Sequence, residues 1–299
     1  MANYSMKQSM KRISAITGIA GLLIFGACTK EYSVENGGNV NNPQIVGTDC
    51  RIMNITSYDS ANIIPLSSMS ATINLRDTVT SITQFDSLGN NLMFFSVPAY
   101  AADTIFIDPD QYFVTTLATG RVIKLHGLYD PTNPGSQFDA DYVYDVNGNL
   151  VQKIYNVPIS PINPALVVDY TYVSGNLTHM TSTDMTVPQI IADADLDYFT
   201  DIAPKNYLTL MPDEGRASDF NRFAQYAQFY NFGKKPVNAV RKIILRDYVG
   251  GAVVDSTVST FSTYLLSRDN YVLGVTMRGD DQASIPAEAG KLRFTYKCK

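Results

Sequence analysis

The amino-acid sequence predicts an all-β protein, built as an extended, curved antiparallel sheet of successive hairpins. Tyr and Phe number 19 and 14, whereas charged residues make up only 17% of the 299 residues. Such a composition favours strands over solvent-exposed helices. Five segments also share one layout, in which an alternating apolar run, a polar turn and a second alternating run follow each other. They are residues 84–95, 115–125, 142–154, 170–180 and 263–275.

Each of these segments is predicted to form a β-hairpin. In YDVNGNL, residues 144–150, Val146 and Asn147 suit a type I turn, and Gly148 suits the left-handed position that follows it. In YVSGNL, residues 172–177, the loop is one residue shorter, and Gly175 supplies the positive φ of a two-residue turn. We therefore expect the glycines to serve backbone geometry and the tyrosines to serve cross-strand packing.

One insertion interrupts the hairpins and is predicted to be a short amphipathic helix over residues 218–232, packed on the sheet. A Ser-Asp pair can cap its start, and Gly233 can end it. Its apolar residues follow the spacing of one helical face. They are Phe220, Phe223, Ala224 and Ala227.

The first 27 residues differ from the rest and are typical of an export signal. A basic stretch precedes an apolar run, Ile13 to Phe25, that is too short to span a bilayer. The sequence FGAC at residues 25–28 resembles the lipobox of bacterial lipoproteins, which implies cleavage before Cys28 and lipidation of that cysteine. A plain secretory signal with an incidental cysteine is the alternative. Residues 28–48 are polar and rich in Gly and Asn, as expected of a flexible tether, and residues 49–299 form the predicted single domain.

The net charge of the mature chain indicates which classes of binding partner are compatible with it. Removal of residues 1–27 takes away Lys7, Lys11 and Arg12 and no acidic residue, so the formal net charge changes from −5 to −8. A negative surface repels phosphate backbones and anionic lipid headgroups. We therefore expect no nucleic-acid partner, and we expect attachment to the membrane through acyl chains.

The two remaining cysteines lie at the two ends of the predicted domain. In an oxidising compartment, a disulfide between Cys50 and Cys298 would close nearly the whole domain into one loop. The alternative is a pair of buried free thiols, since Cys298 continues a period-two pattern with apolar residues before it. The sequence leaves both readings open.

Motifs that carry catalytic chemistry are lacking in the sequence, so we expect no enzyme. His126 and His179 both fall within predicted strands, and no nucleophile elbow, HExxH, CxxC or phosphate-binding loop occurs. Asp193, Asp195 and Asp197, with Asp201 beyond them, are a candidate Ca²⁺ site, for which the alternative is a solvated acidic loop. An EF-hand is excluded because Tyr198 and Pro204 stand where glycine and glutamate are required. No other cofactor is expected.

A sugar-binding platform would need aromatic side chains other than Trp, which is absent. Tyr226, Phe229 and Tyr230 could supply it from the exposed side of the predicted helix, although aromatic residues at helical spacing are also typical of a core. This gives a carbohydrate- or small-ligand-binding role as an alternative function.

Two resemblances to exported proteins add expectations. Tyr144-Asp145 with Gly148-Asn149-Leu150 resembles the YD (Rhs-type) hairpin repeat, and residues 50–298 resemble Bacteroidota lipoproteins of unknown function built from such hairpins. Only the unit at 142–154 has the full Tyr-Asp/Gly pattern. The resemblance implies an extended, curved antiparallel sheet and no assigned chemistry. With the lipobox-like sequence before Cys28, we expect a lipid-anchored outer-membrane protein, facing the periplasm or the surface, with a non-enzymatic binding or structural role. A glycan or another envelope protein would be its partner.

Five Asp-Ser or Asp-Thr tripeptides resemble the O-glycosylation acceptor of exported Bacteroidota proteins. They also suit turns that are closed by local side-chain hydrogen bonds, and the two readings are compatible. The acceptor hydroxyls would belong to Ser60, Thr78, Ser87, Thr104 and Ser256.

Overall fold

A computed structural model gives the fold of residues 50–298. Within this range, residues 60, 62–63, 75–77, 97–98, 102, 109–110, 129–132, 134, 159, 206–207, 213, 215–226 and 280–289 are not described. The predicted signal peptide, the tether and Cys28 therefore lie outside the described residues. No helix in the part that is described is long and apolar enough to cross a membrane.

The described residues form one antiparallel sheet of 17 strands. The strands are β1 (Cys50–Tyr58), β2 (Pro65–Ile73), β3 (Val79–Asp86), β4 (Asn91–Ser96), β5 (Ala99–Ala101), β6 (Thr104–Asp108), β7 (Gln111–Thr115), β8 (Val122–Leu128), β9 (Gln137–Tyr144), β10 (Leu150–Asn156), β11 (Leu166–Val173), β12 (Asn176–Asp184), β13 (Gln189–Tyr198), β14 (Val240–Val249), β15 (Ala252–Leu266), β16 (Val272–Arg278) and β17 (Gly290–Cys298). The all-β prediction is confirmed.

Pairing follows chain order, and the sheet curves until its first and last strands meet. β1 pairs with both β2 and β17, and every described pairing between strands is antiparallel. Each antiparallel pairing reverses the strand direction. When the reversals are counted from β1 to β4 and from β1 through β17 back to β5, β4 and β5 run in the same direction. No pairing between β4 and β5 is described, so the described sheet is open between them.

The five hairpins predicted from the repeated layout are all present. They are β3–β4, β7–β8, β9–β10, β11–β12 and β15–β16. Gly148 has a φ of 87° and closes a turn in which its N–H donates to the carbonyl of Asp145. In the shorter loop both Ser174 and Gly175 have positive φ. Such a turn matches the right-handed twist of the strands that it joins.

An Asp-Asn clamp recurs in two of the turns. The carboxylate of Asp145 accepts hydrogen bonds from the backbone and the side-chain amide of Asn149, both at 2.8 Å. Asp86 accepts the equivalent bonds from Asn90 at 2.8 and 2.9 Å. The sequence analysis found the full Tyr-Asp/Gly pattern only in the 142–154 unit, and we expected the other units to lack the aspartate, which is wrong for the unit at 84–95. The unit at 84–95 has the same clamp, with Phe85 in place of the tyrosine.

Tyrosine hydroxyls tie the ends of strands to their neighbours, a role that was not predicted. This happens in four other strand pairs, β8–β9, β12–β13, β14–β15 and β16–β17. In each pair, the hydroxyl of a tyrosine near the end of the second strand donates to a backbone carbonyl near the start of the first strand, at 2.6 to 2.8 Å. All four bonds lie at the end of the sheet that holds Cys50 and Cys298, which we call the cysteine end. The pairs are Tyr144 with Val122, Tyr198 with Leu177, Tyr264 with Val240, and Tyr296 with Val272.

Cys50 and Cys298 form a disulfide across the β1–β17 pair, where the two residues lie directly opposite each other. The bond spans 248 residues of sequence and joins the first described strand to the last. Cys50 is buried. The disulfide thus fixes the strand pair at which the curved sheet returns to its start.

The core lies on the inner face of the sheet, and a long insert between β13 and β14 helps to fill it. Residues 199–239, which we call the insert, leave and rejoin the sheet at the cysteine end. Leu208, Leu210 and Met211 belong to the same buried cluster as the strand side chains, as do Phe229 and Phe232. The insert is therefore part of the core.

The predicted helix over residues 218–232 is not supported by the described part of the insert. Residues 218–226 lie outside the described residues, and Ala227 and Gln228 form a short 3₁₀ turn that is followed by a turn and a bend. Asn231 then forms a bridge to Arg121 in the loop before β8. Packing of the aromatic residues against the sheet, more than local helical propensity, determines the backbone here.

Loss of the disulfide is expected to lower the stability of the domain. The double variant Cys50→Ser/Cys298→Ser should lose about 2 to 5 kcal/mol of unfolding free energy, because the unfolded chain regains the freedom of a very long loop. Urea titration of the variant and of the parent protein measures this loss. The parent protein in reductant should match the variant, and an equal midpoint for the oxidised parent and the variant would contradict the expectation.

The Asp-Asn clamps predict a local change in acid. The Asn90 amide holds the pKa of Asp86 below its ordinary value. For Asp145, desolvation is the largest single effect and raises the pKa, but the hydrogen bonds from Asn149 and Asn147 together outweigh it and lower the pKa. The clamp therefore contributes above the unfolded pKa, about 4, and is lost as pH falls through the lower folded pKa. Amide NMR shifts of Asn90 and Asn149 should both move in this acid window, and Asp145→Asn should abolish the movement at Asn149 only.

Candidate functional site

The insert crosses the cysteine end and contacts the turns of four hairpins. Its backbone donates to three of these turns and accepts from the fourth, at 2.7 to 3.0 Å. The partners are Asn231 with Val122, Lys234 with Gly148, Asn238 with Asn176, and Lys205 with Asn270. Each of these four hairpin turns therefore has a second role, as a docking point for the insert.

Two glycines are required by this docking as well as by backbone conformation. A Cβ atom at Gly175 would lie 2.7 Å from the Cγ2 atom of Val237, and one at Gly233 would lie 2.9 Å from the carbonyl oxygen of Gly148. Such distances are too short for real Cβ contacts, and both glycines have positive φ. The repeat glycines were predicted to serve turn geometry alone, but Gly175 also allows the insert to approach.

The most deeply buried charged group among the described residues is the carboxylate of Glu214, which the insert carries into the interior. Glu214 is fully buried, and Lys153 on β10 is 1% exposed. The Nζ atom of Lys153 lies 2.5 Å from Oε1 of Glu214, and the hydroxyls of Tyr155 and Tyr170 donate to its two oxygens at 2.7 Å. The carboxylate is thus held by one cation and two hydroxyls from two adjacent strands.

The aromatic rings around Lys153 complete this buried cluster, which consists of Lys153, Glu214, Tyr142, Tyr155 and Tyr170. The Nζ atom lies 5.5 Å from the ring centroid of Tyr142 and 5.4 Å from that of Tyr155. Burial, together with the negative charge of Glu214, raises the pKa of Tyr142 and Tyr170 well above the ordinary value. Both tyrosines therefore stay neutral, and Tyr170 remains a hydrogen-bond donor to the carboxylate.

Burial determines what this cluster can do. Two charges removed from water are tolerated only when they are paired and hydrogen-bonded, and the geometry here meets that condition. A substrate in solvent cannot reach a carboxylate that is fully buried. The buried cluster therefore positions the insert inside the sheet and is a structural site. Sequence reasoning missed it because Lys153 and Glu214 are 61 residues apart.

The acidic residues that were proposed as a Ca²⁺ site lie on β13 and are paired with arginines. Asp193 and Asp195 accept hydrogen bonds from the two terminal nitrogens of Arg246, each at 2.7 Å. Asp197 lies 3.4 Å from Arg241. The prediction of an acidic loop is wrong for these three residues, because Ala192, Ala194 and Leu196 alternate with them and are buried.

Asp201 follows β13 in a bend and is exposed. Within the described ranges, no group of three or more His, Cys, Asp or Glu residues is arranged to hold a metal ion. The side chains of Arg241 and Arg246 are also paired with the carboxylates that would have to coordinate a cation. These residues do not fit a Ca²⁺ site.

His179 extends the charged network on the outer face of β12–β14. Its Nδ1 atom lies 2.8 Å from Asp195, and its Nε2 atom lies 3.0 Å from the hydroxyl of Thr181. Partial burial alone would raise the pKa of Asp195, but the bonds from Arg246 and His179 hold it below its ordinary value. The imidazole side chain is 41% exposed, so solvent screens these interactions.

A second histidine pair has the same arrangement on β8 and β9. The Nδ1 atom of His126 lies 2.8 Å from Asp139, and the two residues are directly opposite in the strand register. Lys124 contributes a further cation, 3.3 Å from Asp141. Both histidines are strand residues, as predicted, and both belong to charged rows on the outer face.

The aromatic residues proposed as a sugar platform are not exposed where the structure describes them. Phe229 is 5% exposed, and Tyr230 is half-buried with its ring 5.6 Å from that of Phe113. Tyr226 lies outside the described residues. The proposed exposure of Phe229 and Tyr230 is wrong, since their rings pack into the core that the insert and sheet share.

The acceptor-like hydroxyls differ in accessibility. Ser87 lies in the exposed turn of β3–β4, and Ser256 is exposed on β15. Thr78 and Thr104 are half-buried, and Ser60 lies outside the described residues. O-glycosylation stays a prediction, for which Ser87 and Ser256 have the more accessible positions.

Breaking the buried cluster on one side is expected to be costly. Lys153→Met should destabilise the protein by about 3 to 5 kcal/mol, because it leaves the buried carboxylate of Glu214 without its cation. Adding Glu214→Gln should recover much of this loss, since the side chain keeps its hydrogen-bonding groups without the charge. Urea unfolding of the two single variants and the double variant measures the coupling.

Arg241→Met is the matched control, because it removes one partner of an ion pair in which both side chains are 58% exposed. Its effect should stay below about 1 kcal/mol. Equal losses for Arg241→Met and Lys153→Met would show that the burial of Glu214 contributes nothing.

Comparisons with known proteins identify the fold and no family. No family model matches the sequence, and no curated protein matches it. Among solved structures, a porin-like protein from Bacteroides uniformis is similar with a TM-score of 0.56 and 11% identity, covering 84% of this chain and 99% of the other. A porin-like protein from Bacteroides vulgatus gives 0.46 at 12% identity, with 83% and 99% covered.

A Tc holotoxin pore from Photorhabdus luminescens is matched at a TM-score of 0.19 and 13% identity, with 77% of this chain and 13% of that chain covered. At these identities the comparisons concern the backbone alone. The chain shares the fold of the Bacteroides uniformis porin-like protein.

Proposed function

We propose that this chain is a lipid-anchored protein of the outer envelope with a non-enzymatic binding or structural role. Three features support the proposal. The first 28 residues have the order of a lipoprotein signal, with a basic stretch, an apolar run and Cys28. The disulfide suits an oxidising compartment outside the cytoplasm. The fold is that of a porin-like protein, a description that belongs to that relative.

The packing of the insert inside the sheet is the observation that favours a binding or structural role over transport. Leu208, Leu210 and Met211 of the insert lie among the strand side chains, and the buried cluster fixes Glu214 beside them. Transport through the sheet would require the insert to leave and would expose an unpaired buried charge, at several kcal/mol. We therefore assign interaction with partners to the outer surface and assign no passage of solutes to the interior.

The outer face fits this role. The strand faces of β8–β9 and β12–β14 carry paired charges, including Lys124 with Asp141 and Arg246 with Asp193. Strands that face lipid present an apolar band instead. An acyl anchor with a charged, solvated sheet is consistent with these faces, and it makes the outer rows of charge the surface available to an envelope partner.

The anchor is tested by labelling. Cells that express the full chain should incorporate radiolabelled palmitate into it, and Cys28→Ala should abolish both labelling and globomycin-sensitive processing. Cys50→Ser/Cys298→Ser is the control, because it removes two cysteines without affecting the acylated one. Normal processing and membrane retention of Cys28→Ala would overturn the lipid anchor.

The choice of role is tested by conductance. The purified chain added to planar bilayers should produce no ion channels, and Glu214→Ala should be equally silent if the sheet does not span lipid. Discrete, reproducible conductance steps from the parent protein would overturn the proposed non-transport role, whereas the labelling result is independent of it.

A further inference from the structure

The chain enters the sheet at the cysteine end, where Cys50 is the first residue of β1. Residues 29–49 join Cys50 to Cys28 and are predicted to be a flexible tether. A tether of this length spans roughly 25 Å on average. β1, with 9 residues, is about 30 Å long. An anchor at Cys28 would therefore keep the cysteine end closer to the bilayer than the opposite end of the sheet.

The cysteine end is basic, although the mature chain is acidic overall. Its described turns, insert residues and strand ends, apart from the buried cluster, contain seven Lys or Arg residues and four Asp residues. The excess is larger among exposed side chains, since four of the cations are exposed and only Asp201 among the carboxylates is. The exposed cations are Lys205, Lys234, Arg268 and Lys297. The overall net charge therefore hides a local excess of positive charge.

The turns at the opposite end of the sheet have the reverse charge. Five of these turns, in the residues that the structure describes, contain three aspartates and no Lys or Arg. The turns are residues 59–64, 86–90, 157–165, 184–188 and 250–251, and the aspartates are Asp59, Asp86 and Asp184. An anionic lipid surface attracts a cluster of cations and repels carboxylates. The charge distribution thus favours the cysteine end as the end that approaches a membrane.

Apolar side chains are exposed at the tips of the cysteine-end turns. Val146 in the β9–β10 turn is fully exposed, and Leu117 in the β7–β8 turn is 77% exposed. Val173, beside the β11–β12 turn, and Val237 of the insert are more than half exposed. Turns usually hold polar residues at such positions. At the level of lipid headgroups, these side chains would leave water and stabilise the contact.

The insert places exposed cations beside these apolar tips. The backbone N–H of Lys234 donates to the carbonyl of Gly148, in the turn that carries Val146. Val237 lies against the β11–β12 turn, since a Cβ atom at Gly175 would be 2.7 Å from its Cγ2 atom. Binding to a membrane surface strengthens both with apolar area and with attraction to anionic lipids. We call the residues that combine these properties the tip surface, which consists of Leu117, Val146, Val173, Lys205, Lys234 and Val237.

We propose that the tip surface binds the membrane leaflet that holds the acyl chains of Cys28. Its cations contact anionic headgroups, and its apolar tips enter the headgroup region. The inference rests on the proposed lipid anchor. Apolar tips alone do not select this end, because Leu88 at the opposite end is 83% exposed. The point of chain entry and the charge distribution both select the cysteine end.

Fluorophore labels measure which end contacts the bilayer. Val146→Cys and Leu88→Cys each add one free thiol, because Cys50 and Cys298 form the disulfide and Cys28 would be acylated. The two sites are matched, since both are exposed in turns with an Asp-Asn clamp. The lipoprotein purified from cells is reconstituted into vesicles of phosphatidylethanolamine and phosphatidylglycerol. An environment-sensitive label at residue 146 should shift its emission to the blue and be quenched by spin-labelled lipid, whereas a label at residue 88 should stay unquenched.

The role of the cations is measured with the same label at residue 146. Lys234→Gln should lower the ratio of quenched to unquenched label about fivefold, because each cation near an anionic surface contributes about that factor. High salt should also lower the ratio, and vesicles of phosphatidylcholine alone should show no effect of the substitution. Arg278→Gln is the matched control, since Arg278 is exposed at the opposite end of the sheet. Urea unfolding midpoints equal to that of the parent protein establish that these exposed variants fold.

The outcomes separate this inference from the lipid anchor. A chain that does not float with the vesicles overturns the anchor and the tip surface together. A chain that floats, but whose label at residue 146 is no more quenched than the label at residue 88, overturns the tip surface alone. Equal effects of Lys234→Gln and Arg278→Gln would likewise overturn the role of the basic cysteine end.

Discussion

A carboxylate that must be buried and paired is the constraint on which the rest of the domain depends. Glu214 brings a negative charge into an apolar interior, where only the cation of Lys153 and the hydroxyls of Tyr155 and Tyr170 make it tolerable. These partners come from the sheet, and Glu214 comes from the insert. The register of β10 and β11 and the path of the insert therefore determine each other.

The hairpins were predictable from sequence because their determinants are local. A turn such as that of residues 145–149 needs only a clamp aspartate and a glycine at the left-handed position, and both lie within a few residues. The insert has no such local determinant. Its aromatic residues have the spacing of a helical face, but in the described residues from Ala227 onward they follow the surface of the sheet. A helical pattern cannot be distinguished from an irregular core segment when tertiary packing determines the backbone.

The candidate sites also differ in whether the local sequence indicates them or only the tertiary structure does. Asp193, Asp195 and Asp197 alternate with buried Ala and Leu residues, so period-two reasoning could have placed them on a strand instead of in a loop. Their arginine partners follow about 50 residues later and could be found only by pairing β13 with β14. Lys153 is a harder case, since a lysine in a strand normally marks the solvent face. Its burial depends on a glutamate far along the chain that no local pattern indicates.

The position of the disulfide affects how the domain resists mechanical tension. A pull transmitted by the residues before Cys50 enters β1 at its first residue, and the bond to Cys298 passes part of it to β17. β1 is also held by β2, and β17 by β16, so the load divides over three strand interfaces. Without the disulfide, the pull would separate β1 from β17 one hydrogen bond at a time, starting at residue 50. With the disulfide in place, β1 and β17 can leave the sheet only together. The bond therefore reinforces the domain at the point where the pull enters it.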